Sequence, residues 1–153
     1  MEEPMPPDQS YISENAAARE HLAALVNRLS DQQLGQPLGA GWTVSAVLAH
    51  LAFWDQRALL LIEKWKKEGV GPSPIDVDMV NEVVRGLCLA IPPRAAADLA
   101  LSATTAIDRA IEHLSPEMIN EIQTIGTTVR LDRARHRRQH LDQIKTALGI
   151  EAG

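Results

Sequence analysis

"WTVSAVLAHLAFWDQRALLLIEKWKK", Trp42 to Lys67, is the stretch that decides the fold. Thr43 can cap a helix through its side-chain oxygen, and Trp42 before it stands opposite Val47 at the fourth helical position, as in a hydrophobic staple. Val44, Val47, Leu48, Leu51, Ala58 and Ile62 follow at helical spacing, so the segment reads as one amphipathic helix. It ends near Lys67, where "EGVGPSPID" brings two glycines and two prolines. A helix with a single apolar stripe must bury it against other elements.

The rest of the chain supplies them. Upstream, Leu22, Leu25, Val26 and Leu29 line one face of a helix that starts at Tyr11 and is broken by "GQPLGAG". Downstream, Val80, Val83, Val84 and Leu87 mark a helix over Val77 to Leu89 that stops at "IPP". Leu99, Ala103, Ala106, Ile107, Ala110 and Leu114 mark the next. Ser115, Pro116 and Glu117 stand in the order of cap, first-turn proline and acid, which predicts a short extra helical turn near 115–120. A last helix is predicted from Thr128 to Leu148, with Ala134, Leu141, Ile144 and Leu148 facing the core. No run of alternating β-branched residues bounded by turns competes. The expected fold class is all-α, a four-helix bundle, with residues 1–10 as a flexible, proline-rich acidic arm and 11–150 as a single domain.

Composition removes several function classes. The chain of 153 residues has one cysteine, Cys88, which excludes an internal disulfide, and no secretion signal is recognisable at its start, so the cytoplasm is the default compartment. The longest apolar run, Ala58 to Ile62, is far short of the roughly 18 residues a membrane span needs. A net charge of −5 argues against general nucleic-acid binding. Cys88 lies beside an apolar stripe and reads as a buried, inert thiol. No phosphate loop, dinucleotide fingerprint or nucleophile elbow is present.

Histidines carry what chemistry the sequence offers. His136 and His140 are four residues apart and project from one face of the last helix, at the margin of its apolar stripe. Such a pair is either half of a metal site or two polar residues on a basic face. His50, next to the stripe of the long second helix, is the candidate third ligand, since common catalytic zinc sites use three protein ligands and leave one position open. His21 and His113 sit among charged neighbours and read as surface residues. Asp132, one turn before His136 and on the same face, and Asp55, five residues after His50, are candidates for orienting the rings, Asp132 alternatively for ligating the metal and Asp55 for an interhelical contact. Arg130, Arg133, Arg135, Arg137 and Arg138 read mostly as a solvated face, with a minority role in holding a carboxylate of a ligand.

Together, "GWTVSAVLAHLAFWD" (Gly41 to Asp55), "DVDMVNEVV" (Asp76 to Val84) and "HRRQHLDQI" (His136 to Ile144) resemble, in order and interval, the motifs of the DinB/YfiT-like superfamily. The resemblance extends from about Tyr11 to Leu148. It implies a four-helix bundle, often a homodimer, with one divalent metal held by His50, His136 and His140. Zinc, nickel, iron and manganese are not distinguished. Branches of that superfamily include thiol-dependent enzymes, among them mycothiol-dependent maleylpyruvate isomerase and bacillithiol S-transferases, and another branch hydrolyses a strained genotoxin. The expected function is therefore metal-dependent action on a small electrophilic substrate, by hydrolysis or by S-transfer from a low-molecular-weight thiol. The alternative is a non-catalytic metal-binding dimer that binds ligands or partners.

Overall fold

Thr43 accepts a hydrogen bond from the Ala46 N–H at 3.1 Å, and the helix it opens, α3 (Val44–Glu68), is the longest in the protein's computed structural model, which describes residues 9–126 and 129–150. The arm expected over residues 1–10 lies almost wholly outside the described residues. At its far end α3 stops at Gly69, whose N–H bonds the Trp65 carbonyl at 2.8 Å while its φ of 89° suits glycine.

Around α3 stand α1 (Tyr11–Arg28), α5 (Pro93–Glu112) and α7 (Ala134–Leu148), which complete the predicted bundle. The most extensive packing is between α3 and α5; α1 packs on both α5 and α7. α4 (Val77–Ala90) lies outside them against α3. This position corrects its predicted core face: Val84 and Cys88 are buried, but Val83 and Leu87 are 63% and 66% exposed. A helix with neighbours on one side only buries a narrow strip. Leu99 on α5 and Leu60 on α3 are exposed on the same side, around an apolar groove of about 700 Å³.

Three shorter elements refine the sequence reading. α2 (Asp31–Leu34) has a capping box in which Ser30 and Gln33 satisfy each other's backbone N–H groups. Within the predicted break, β1 (Pro37–Gly39) and β2 (Trp42–Thr43) form a small hairpin whose turn has positive φ at Gly39, Ala40 and Gly41. The hairpin delivers Trp42 into the apolar cluster that also holds Val47. α6 (Pro116–Ile125) opens at the predicted Ser115 cap but runs for ten residues, because Ile119 and Ile122 both find burial.

The core is divided. One apolar cluster gathers Leu22, Val26, Leu48, Leu51, Leu141 and Ile144; a second, at the other end, gathers Ile62, Trp65, Ile107, Ile111, Ile119 and Ile122. Between them lies a buried polar layer of Asn15, Asp55, Asp108, Arg133 and Arg137. Arg137, 1% exposed, forks onto Asp108 at 2.7 and 2.9 Å, reaches Asp55 at 3.4 Å and donates to the Asn15 carbonyl. Arg133 pairs with Asp55 at 2.8 Å, and Arg19 closes on Asp108 at 2.7 Å. The reading of these arginines as a solvated face is thus corrected for Arg133 and Arg137. It stands for Arg130, Arg135 and Arg138, which are exposed.

The same layer explains where the last helix starts. α7 begins at Ala134; Thr128, the predicted start, lies outside the described residues. Asn15 of α1 accepts from the N–H groups of Arg133 and Ala134 at 2.8 and 2.9 Å and donates to the Leu131 carbonyl, capping α7 from another helix.

Candidate metal centre

His50 comes from the second turn of α3, and His136 and His140 from the first two turns of α7, where the two helices meet. Ring centroids lie 5.3 Å apart for His50 and His136, 5.2 Å for His50 and His140, and 4.7 Å for the α7 pair. One nitrogen from each ring can be chosen so that all three fall within 4.8 Å of one another. His50 is buried, with Trp42 packed edgewise against its ring at 5.4 Å and Trp54 at 6.5 Å.

These residues fit a divalent ion. The Nε2 atoms of His136 and His140 are 3.1 Å apart, close to the roughly 3.4 Å separation that metal–nitrogen bonds of about 2.0–2.1 Å give at a tetrahedral ion. Nδ1 of His50 is buried with no hydrogen-bond partner among the described residues, an orphan of the kind that ligation or an ordered solvent molecule resolves. His140 Nδ1 donates to Gln143 Oε1 at 2.9 Å, so a neutral His140 keeps a lone pair on Nε2, and His136 Nε2–H donates to it.

A family model described as the mycothiol maleylpyruvate isomerase N-terminal domain matches residues 15–142. The chain belongs to that family. It lies within the DinB/YfiT-like superfamily, as the motifs around His50 and His136 indicate. No curated protein and no solved structure gives a significant match.

In this mycothiol maleylpyruvate isomerase N-terminal-type domain, the remaining candidates separate cleanly. His21 is exposed, and exposed His113 donates from Nδ1 to the Arg109 carbonyl. Cys88 is buried and desolvation raises its pKa, so it is a packed thiol. Asp132 precedes α7 rather than sharing a face with His136; it accepts from the Ala134 N–H and bonds no ligand histidine. Asp55 makes the interhelical contact, to the buried arginines. The ring-orienting residue is instead Gln143, three residues past His140 on the same face, a spacing the sequence displays. Asn81 of α4, which accepts from Trp54 Nε1 at 2.9 Å, also lines the site. Two adjoining cavities of about 440 and 320 Å³ share His50, Asn81 and His136, whereas the larger apolar groove lies elsewhere on α3.

Burial sets the electrostatics. Desolvation, then the charge of His140, lowers the His50 pKa to about 4; desolvation, the other two histidines, and Arg133 and Arg137 lower His136 to about 3. His140 is lowered by burial against the opposing Gln143 bond. The rings are neutral at pH 7, the form that binds metals. The unfolded chain protonates these rings near pH 6.5, as the folded chain does not. The contribution of these rings to the stability of the metal-free protein is therefore fully present above pH 6.5 and is lost as pH falls toward 4 and 3. Urea unfolding between pH 7.5 and 4.5 should show this decline, reduced when His50 and His136 are both replaced by glutamine.

Among the described residues, no helix is long and apolar enough to cross a membrane.

Proposed function

We propose that this protein is a metal-dependent enzyme acting on a small electrophile, with His50, His136 and His140 as its metal ligands. The observation that carries the reading is three neutral imidazoles on two helices, their nitrogens within 4.8 Å of one another, opening on cavities of ligand size. A divalent ion held there supplies Lewis acidity, which polarises an electrophile and lowers the pKa of water or a thiol. The chain's own groups do the rest. Trp42 and Trp54 pack against the His50 ring, Gln143 fixes the tautomer of His140, and the Arg137 layer anchors the turn that bears His136. The family's name, with its thiol, favours S-transfer or thiol-dependent isomerisation over hydrolysis.

Protein purified and then titrated with zinc, nickel, iron or manganese should take up about one equivalent. Uptake below about a tenth of an equivalent for every ion would remove the basis of the proposal. The loaded protein should then consume a thiol with an electrophile faster than the histidine variants do.

A second reading, a non-catalytic metal-binding dimer, draws support from the exposed Leu60, Leu87 and Leu99 around one apolar groove, with exposed Val83 on the same helix as Leu87. An enzyme can also dimerise there, so the two readings share this surface. In sedimentation velocity, Val83→Glu with Leu87→Glu should convert a dimer to a monomer; a monomeric parent protein would remove the dimer from either reading.

A further inference from the structure

The 440 Å³ cavity beside the histidines has an uneven wall. Trp54 of α3 and Asn81 of α4 line it together with Arg130, Arg133 and Arg135 at the start of α7, with Asp132 the acid among them. Arg133 is neutralised by Asp55. Arg130 and Arg135 are not: neither guanidinium has a hydrogen-bond or ion-pair partner among the described residues, although the protein as a whole carries −5. Asp132 accepts from a backbone N–H and is in no ion pair among the described residues. Because Asn81 Oδ1 already accepts from Trp54, the amide nitrogen of Asn81, which lines the same cavity, remains as a donor.

Two unpaired guanidinium groups outnumber the single carboxylate, Asp132, beside them and raise the local potential where the cavity opens, and their planar forks match a ligand carboxylate. We propose that Arg130 and Arg135 hold a carboxylate of the small molecule that reacts at the three histidines, with the Asn81 amide as a further donor. This inference rests on the metal-centre reading for its reactive end, but not for the anion contact itself. The carboxylate belongs either to the electrophile or to the thiol, and both sources present the same group to the wall.

The Arg130→Gln, Arg135→Gln double variant tests it, since both side chains are exposed and neither supports the core. Calorimetric titration of metal-free and metal-loaded protein with glutarate against glutaramide probes the electrophile source. N-acetylcysteine against N-acetylcysteinamide probes the thiol source. In at least one pair the acid should bind about tenfold tighter than the amide, and the double variant should erase that preference while keeping its metal uptake and melting temperature. A preference in the first pair assigns the carboxylate to the electrophile, in the second to the thiol. No preference in either pair, or one that survives the double substitution, overturns the inference. Metal uptake without acid preference sinks this inference alone; acid preference without metal uptake sinks the metal-centre reading alone.

Discussion

Asp108→Ala should destabilise the protein by about 3–5 kcal/mol, the range for removing one partner of a buried ion pair. Asp108 is 2% exposed and receives the bidentate fork of Arg137 and a second guanidinium from Arg19. Without it, Arg137 keeps only the 3.4 Å contact to Asp55 and the Asn15 carbonyl, with its charge still inside the bundle. In a domain of this size such a loss lowers the melting temperature by about 6–20 °C. Urea denaturation gives the free energy directly, and a loss under about 1 kcal/mol would show that the polar layer is solvated and not a buried network. The consequence reaches the site, because Arg137 follows His136 in the chain: the variant should bind metal more weakly even at temperatures where it stays folded.

His136→Ala with His140→Ala should abolish metal-linked stabilisation. For the parent protein, free metal at about 1,000 times its dissociation constant adds roughly 4 kcal/mol to the folded state; with both α7 ligands gone, the added stability should fall to near zero. The metal-free double variant should remain folded, since both rings are only half-buried and neither belongs to the Arg137 network. Thermal melts with and without metal separate the two effects. Retention of the metal-induced shift by the double variant would place the ion elsewhere. Gln143→Leu is the milder companion, loosening the tautomer of His140 without removing a ligand.

Helix periodicity made most of the fold legible. The stripe on α3 is buried from Val44 to Ile62, and the caps at Thr43 and Ser115 are formed as their residue types suggest. The histidines were legible for the same reason, since four residues on one helix is a fixed geometry and His50 shares its helix with a core stripe. Periodicity failed for α4 and for the start of α7. Val83 and Leu87 have helical spacing whether or not a neighbour covers them, and the start of α7 depends on Asn15, more than a hundred residues away.

What the sequence by itself determined is therefore local: helix positions, their caps and the three imidazoles placed at core margins. Tertiary structure alone decided which charges are inside. Five arginines between Arg130 and Arg138 look alike along the chain, yet Arg137 is buried because α3 and α5 present Asp55 and Asp108 to it, while Arg130 and Arg135 face a cavity and form no ion pair among the described residues. A charge enters a core only where opposite charges from distant segments offset its desolvation, and that pairing exists only once the helices have packed.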